Sequence, residues 1–370
     1  MSKNKILPNY RKALIEEIRD SISTNTSNYY VFASNPVAHN GTIPDVLGDD
    51  YTNQYVNNWN MLFGKKLKNT DIVPVIKKNM WVSKVYDFYD DRSLTVLETN
   101  NFYAISPTVT VGGYFHIYKC LDNNNGGVST VDPGSISTPT QIAPFTLSDK
   151  YKWIYVASVS QADNSRFGTD DYFPVVANAA IVAAAGANNT GVEKIVIVNG
   201  GTGYRAYANG TVRALARTGT LLRLEDSAST DSNFYKNSAI YLTNDGSINS
   251  QIKTITEHFS NSIGVWCRLD SAVNVSGVVP NVTKYYISPK VYFDSDGKRD
   301  PVAYSVVEPV ANSISNIVIL DSGAEISWAN VSIQSNTVYG SGANLYAVVA
   351  PPGGHGSNPV AELNTLGMSI

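Results

Sequence analysis

Apolar and polar positions alternate in short runs over most of this chain. From Ile72 onward, TVTVGGYFHIYKCL, YKWIYVASVS, TKYYISPKVYF and SNIVIL are separated by turn residues at regular intervals. That punctuation predicts antiparallel strands built into one sandwich or several. The helical period is clearest at the N-terminus. In NYRKALIEEIRDSI, Leu14, Ile15, Ile18 and Ile22 fall on one side, Pro8 and Asn9 mark the start, and Glu16, Glu17, Arg19 and Asp20 cover the rest. A strand-like NYYVFAS and a Pro/Gly/Asp-rich loop, Asn35–Asp50, follow. A weaker helical window is YTNQYVNNWNMLFGKK, where Tyr51, Tyr55, Trp59 and Leu62 or Phe63 recur at three-to-four spacing. The fold class expected is mainly β: antiparallel β-sandwich modules with a short N-terminal helix and helical loop excursions.

The chain carries an internal repeat. Ile195–Tyr204, IVIVNGGTGY, aligns with Ile317–Ile326, IVILDSGAEI, and each is followed by a strand-like tail, ANGTVRAL and WANVSIQS. Gly201-x-Gly203-x-x-Ala206 has the spacing of a dinucleotide-binding turn, and Glu225 lies about twenty residues on, where a ribose-binding acid belongs. A pyrophosphate cradle also needs a helix start behind the glycines. Here the turn runs into YRAYANGTV, broken by Asn209-Gly210, which reads as hairpin text. The second copy keeps Gly323 and loses the Gly-x-Gly pair, so the glycines are read as turn residues. VVANAAIVAAAGANNTG (Val175–Gly191) is rich in small uncharged residues and suits a short helix or an extended linker. The expected organisation is an N-terminal helix or arm at 1–28, a sandwich core at 29–175 and a linker at 176–191. A β module with the first repeat follows at 192–300, and one with the second repeat and the PPGGHG loop at 301–370.

Composition narrows the function. At 370 residues and 43% hydrophobic content the chain can bury sizeable cores, while charged residues are only 16% and the formal net charge is −3. Nothing builds the basic field that nucleic acid requires, and no apolar run is long enough to span a membrane as a helix. With 27 glycines and 23 tyrosines the composition suits a turn-rich β protein. The N-terminal MSKNKILPNYRK has no apolar segment behind it and is not read as a secretory signal. Cys120 and Cys267 lie far apart and read as free, buried thiols in a reducing compartment.

Candidate chemistry is thin. His39, His116, His258 and His355 show no metal-ligand spacing. His116, flanked by Phe115 and Ile117, reads as a sheet position. His355 in PPGGHGSNP sits on a sharp loop, either as a functional tip or as part of a stiff connector. No G-x-S-x-G elbow is present. Acidic residues cluster at Asp49-Asp50, Asp87/Asp90-Asp91, Asp163/Asp170-Asp171 and Asp294/Asp296, each in turn-like surroundings. DSDGKRD begins like a calcium loop, but its twelfth position is Ser305 where a bidentate Glu is needed. Aromatics crowd the first 160 residues: Tyr29, Tyr30, Trp59, Trp81, Tyr86, Phe88, Tyr89, Tyr114, Tyr118, Trp153 and Tyr155. They suit a sandwich core, the centre of a protein–protein contact, or platforms for sugars.

Several stretches resemble one family, the baseplate wedge subunit of T4-like contractile-tailed bacteriophages (the gene product eight family), in a longer form like that of marine phages. NYRKALIEEIRDSIS leading into NYYVFASNPVAHN is similar to that family's opening helix, strand and loop. VLGDDYTNQYVNNWNMLFGKKL and DIVPVIKKNMWVSKVYDFYDD resemble its next segments, and GYFHIYKCLDNNNGG followed by DKYKWIYVASVS resembles its paired strands. The likeness covers about the first 160 residues in order and thins beyond Ala180. LNTLGMSI is apolar and strand-like, which predicts a buried C-terminus or a chain shorter than these relatives.

The resemblance implies a non-enzymatic virion protein of the phage tail baseplate, made and assembled in the host cytoplasm. It implies a homodimer that links neighbouring wedge proteins, with no cofactor, metal, small-molecule substrate, nucleic acid or membrane. Tyr10, Leu14, Ile18, Trp81, Tyr86 and His355 are the candidate partner-contact residues. The alternatives left open are a tail-associated glycan-binding protein and a glycan-cleaving enzyme using paired carboxylates.

Overall fold

The computed structural model describes residues 8–24, 28–34, 51, 59–108, 113–135, 143–176, 190–204, 208–244, 251–335 and 340–370. The fold is mainly β with antiparallel sheets and a few short helices. Two compact units divide the chain, Met1–Val182 with Asn358–Ile370, and Ala183–Ser357.

The first unit begins with α1 (Pro8–Ser23), which buries Ile15 and Ile22. β1 (Tyr30–Ser34) and β2 (Met61–Lys66) pair as a two-stranded antiparallel ribbon. β3 (Val73–Lys77), α2 (Leu94–Thr99), β4 (Tyr103–Ile105), β5 (Tyr114–Asp122), β6 (Phe145–Thr146), β7 (Lys152–Ser160), α3 (Gln161–Phe167) and β8 (Tyr172–Pro174) follow. β4, β5, β7 and β6 form a four-stranded sheet in the order β4-β5-β7-β6. Its alternation shows why YFHIYKCL and KWIYVASVS are strands. Ile117, Leu121, Ile154 and Val156 face one core, and Tyr118, Cys120, Trp153 and Tyr155 face another. Both faces are buried, so the text is apolar at nearly every position instead of every second one. Ser93 and Ser160 accept N–H groups at the starts of α2 and α3.

In the second unit β9 (Val192–Thr202) is followed by β10 (Ala208–Thr211), β11 (Ala214–Leu215), β12 (Leu221–Arg223), β13 (Ala239–Thr243), β14 (Gln251–Asn261), β15 (Gly264–Leu269) and β16 (Lys284–Ser288). β10 to β16 build one seven-stranded sheet, β10-β16-β13-β14-β15-β12-β11, over a core that includes Leu222, Ile240, Ile255, Cys267 and Ile287. β17 (Val291–Ser295), β18 (Val302–Glu308), β19 (Ser313–Asp321), β20 (Ala329–Ile333) and β21 (Ser341–Val349) complete the unit. The ladders β17-β20, β18-β19 and β21-β9 share a second core containing Ile195, Ile314, Ile317, Val331 and Leu345.

The chain then returns to the first unit. α4 (Pro359–Glu362) and β22 (Gly367–Ser369) follow, and β22 completes the sheet β22-β3-β8. Val360 and Leu363 enter the same core as Ile76, Ile117 and Phe173. The three-stranded and four-stranded sheets therefore face each other across that core as a sandwich. Lys119 is fully buried on the core side of β5, where its ammonium meets Glu362 Oε1 at 3.2 Å and lies 3.8 Å above the Tyr89 ring. Asn364 Nδ2 donates to the Leu97 carbonyl at 2.6 Å and to Asn100 Oδ1 at 2.9 Å.

Several expectations are corrected. The window at 51–66 ends in a strand, since Met61–Lys66 is β2; residues 52–58 lie outside the described residues. The two repeats do not found separate modules at 192–300 and 301–370. β9 and β19 lie side by side in one core, with Val192 N–H donating to Ser322 O at 2.8 Å and Tyr204 N–H to Asn312 O at 2.9 Å. One ladder cannot cover its own apolar face, so the copies combine. Residues 358–370 belong with the first unit, not with the second repeat. Asn209-Gly210 is within β10, paired to Tyr286 and Tyr285, and is not a hairpin turn. Gly201 has φ +67°, and a Cβ there would lie 2.6 Å from the Ala343 nitrogen. Its place is a close approach of two strands. Of the linker at 176–191, residues 177–189 lie outside the described residues.

Candidate partner-binding surface

The surface that stands apart is the β1–β2 ribbon. Tyr30 pairs Lys66, Val31 pairs Lys65, Phe32 pairs Gly64 and Ala33 pairs Phe63. Paired residues share a face, so Tyr30, Phe32, Gly64 and Lys66 lie on one side and Val31, Ala33, Phe63 and Lys65 on the other. Val31 packs towards Ile22, Leu67 and Ile72 at the root of the ribbon. The opposite side is open. Tyr30 is 54% exposed and Phe32 55%; every residue of β2 is exposed, with Leu62 at 67% and, on the Val31 side, Phe63 at 59%. Trp59, just before β2, is 78% exposed. Side chains of this size normally lie inside, and their concentration on one ribbon marks a contact surface.

The ribbon is held in shape from within. The Tyr30 and Phe32 rings stack at 6.2 Å with an 18° interplanar angle. Phe32 lies across Gly64, where a Cβ would sit 2.5 Å from two ring carbons. At the root, Asp71 accepts from Lys65 Nζ at 2.6 Å, the Lys68 N–H at 3.1 Å and the Arg166 guanidinium at 3.2 Å. The Lys65 hydrogen bond leads the effects that hold its carboxyl below the usual carboxylate range.

The sequence-derived contact residues divide. Tyr10 and Leu14, one turn apart on α1, are exposed at 64% and 41%. Ile18 packs against Ile22, Leu67 and Ile72, so it belongs to the buried stripe with Ile15, and Leu14 lies outside that stripe. Trp81 packs against the core of Tyr118 and Trp153, and its indole N–H reaches Ser129 Oγ at 3.3 Å. Tyr86 is fully buried and edge-on to Trp153 at 5.3 Å. Burial pushes its hydroxyl up to about 12. It serves the core and offers nothing to a partner in this fold. His355 is not on a loop tip. It is buried, with Nε2 against Glu193 Oε1, so PPGGHG fastens the end of the second unit onto β9.

Among the described residues, several of the other candidates are engaged in local turn and cap contacts. Asp163 pairs with Ser160 at the start of α3. Asp90 is buried and accepts the Arg92 N–H at 3.0 Å, and Asp87 faces Thr99. Asp296 accepts the Ser327 and Trp328 N–H groups at 2.9 and 3.1 Å as well as the Ser327 hydroxyl, which leads the effects lowering its pKa. Asp300 accepts from Ser295 at 2.7 Å. Asp296 and Asp300 of DSDGKRD thus fasten turns. Asp49-Asp50 and His39 lie outside the described residues. Among the described residues, no three His, Cys, Asp or Glu side chains converge as a metal site. Cys120 and Cys267 are buried thiols in separate cores, and burial pushes the Cys267 thiol up to about 12.

Sequence reasoning missed one polar network. His116 Nδ1 lies 2.7 Å from Ser158 Oγ, which also contacts the Tyr155 hydroxyl. Cross-strand register creates it, since His116 sits opposite Ser158 in the β5–β7 ladder. His116 is buried beside Tyr155, and burial lowers its pKa. The three groups satisfy one another inside the sheet face. Among the described residues no helix is long and apolar enough to cross a membrane. Neither models of known protein families nor curated proteins give any match to this chain.

Proposed function

We propose that the chain is a structural component of a contractile phage tail baseplate wedge, a homodimer that links neighbouring wedge proteins by permanent contact and performs no catalysis. The observation that carries the reading is the aromatic ribbon, a rigidly rooted apolar surface open to a partner. It coincides with NYYVFAS and NMLFGKK, segments that also carry the family resemblance. Permanent assemblies bury more than about 2,000 Å² and favour aromatic, weakly charged centres. Antiserum raised against the purified chain is expected to label the baseplate end of contractile tails, and light scattering to give the mass of a dimer. Tails that remain unlabelled in particles whose baseplate proteins are otherwise accessible would overturn the assignment.

A second reading, a tail protein that binds glycans, has one observation in its favour. Trp328 is 45% exposed beside the fixed Asp296 carboxylate, and an aromatic face next to an oriented acceptor suits a sugar ring. Glycan-array binding that disappears in Trp328→Ala supports this reading. Binding that is absent, or unchanged in the variant, removes it.

A further inference from the structure

We infer that the outer edge of β1 is where a second copy of this chain adds, with β1 pairing antiparallel to itself about a two-fold axis at Phe32. The inference rests on the homodimer reading above and names its interface. Among the described residues the ribbon contains only β1 and β2, anchored at its root where Val31 packs with Ile22 of α1, and a two-stranded ribbon gains stability from further strands.

The two edges of the ribbon differ. β2 carries Lys65 and Lys66, and its register with β1 slips between Ala33 and Ser34, so that Leu62 is the extra residue of a bulge. Charge and bulges are the devices that protect an edge from pairing. β1 reads YVFAS, with no charge, proline or glycine, and the extra residue of the bulge is not on it. Leu67 N–H donates to the Tyr29 carbonyl at 2.8 Å. By antiparallel alternation Val31 and Ala33 then aim their backbone groups at β2, while Tyr30 and Phe32 aim theirs away from it. The unprotected edge is thus the one whose backbone groups, at Tyr30 and Phe32, meet no partner among the described residues.

The register closes on itself. An axis at Phe32 sets Phe32 against its own copy, Val31 against the copy's Ala33, and Tyr30 against the copy's Ser34. Large faces small on the inner side, and no charge faces a like charge anywhere along β1. On the outer side the stacked Tyr30 and Phe32 rings continue into their copies, giving a four-stranded sheet with one aromatic face. Such cross-strand pairs are the unit of sheet stabilisation, and a closed two-fold contact satisfies both edges at once.

The test uses the full chain. Sedimentation at micromolar concentration is expected to give a dimer. Phe32→Lys, which sets two ammonium groups directly opposite, is expected to raise the dimer dissociation constant by about a hundredfold or more. A variant that keeps the ribbon covers the case in which Phe32→Lys misfolds. Val31→Cys mixed with Ala33→Cys under mild oxidation is expected to give a disulfide-linked dimer, and either variant alone is not. A dimer with no cross-link in the mixture, or with equal cross-linking of each variant alone, overturns this interface and leaves the homodimer reading standing. A strictly monomeric chain overturns both.

Discussion

Lys119 and Glu362 allow a quantitative test of how the C-terminal segment is held. Both side chains are buried, 0% and 1% exposed, at 3.2 Å separation, with the ammonium also 3.8 Å above Tyr89. Removing one member of such a pair leaves the other charge uncompensated in the core, at a cost of about 3–5 kcal/mol. For Lys119→Met the lost cation–π contact adds about 1–2 kcal/mol. A domain of this kind is stable by only about 5–15 kcal/mol, so either single change is a large fraction of the total. Replacing both charges, Lys119→Met with Glu362→Leu, removes the desolvation cost along with the attraction and is expected to return within about 1 kcal/mol of the native chain. Hydrogen exchange of the β5 and β7 amides reads the first unit separately from the second. Glu362→Gln should accelerate exchange there by about a hundredfold or more. If it changes exchange less than about fivefold, or if the double variant is as damaged as the worse single one, the charges are not held as an uncompensated-if-broken pair and the reasoning fails.

Other outcomes follow from the same structure. His116 and His258 are buried with pKa values pushed below the ordinary 6.5 by burial, against partial opposition at His258 from the Asp231 and Ser229 backbone. The unfolded chain therefore binds the protons first, and stability falls as pH drops below about 6.5, by up to about 1.4 kcal/mol per pH unit for each histidine. Both ring nitrogens of His258 are shielded from water near the Asp231 and Ser229 backbone. His258→Phe is thus expected to flatten that dependence in the second unit, as chemical denaturation across pH 5–8 can show. Deleting 358–370 strips Val360, Leu363 and Glu362 from the first unit, and limited proteolysis should then cut within 73–175 while sparing the second unit. Gly201→Ala puts a methyl against the β21 backbone at a positive φ and should destabilise the second unit by about 2 kcal/mol or more in urea titration.

What the sequence made legible was local alternation. The strands β5 and β7 could be read because side chains alternate between two apolar faces, and α1 because Ile15, Ile18 and Ile22 recur on one stripe. Three-to-four spacing groups Leu14 with that stripe because it does not fix where a narrow stripe ends. Met61–Lys66 looked helical because Trp59 and Leu62 or Phe63 fit a spacing of three or four, and only its pairing with β1 makes it a strand. Long-range partners were the larger loss. His355 sits among glycines that suggest an open loop, and nothing local points to Glu193, 162 positions away. For the buried pair a signal did exist. Lys119 stands between Ile117 and Leu121 at a core-facing position, and a charge there requires a partner, although sequence gives no way to choose Glu362.

The aromatics separate by what their ring faces touch. Tyr86, Tyr118, Tyr151, Trp153 and Tyr155 spend theirs on one another and on the sheet, at centroid distances of 5.3 to 5.9 Å. Tyr241, Tyr286 and Tyr304 stack face to face, the closest pair at 4.9 Å and 13°, so most of their ring area is already covered and a sugar could reach mainly their edges. Tyr292 has Lys290 over its ring. The ribbon is different. Tyr30 and Phe32 pack against each other and across Gly64 on one side only, and both remain more than half exposed. A sugar platform needs hydrogen-bonding groups converging around an open ring. Among the described residues, the cross-strand neighbours of Tyr30 and Phe32 are the exposed Lys66 and Gly64, surroundings suited to another sheet. Aromatic content alone favours neither assembly nor carbohydrate binding, but the distribution of uncovered rings favours a contact between sheets.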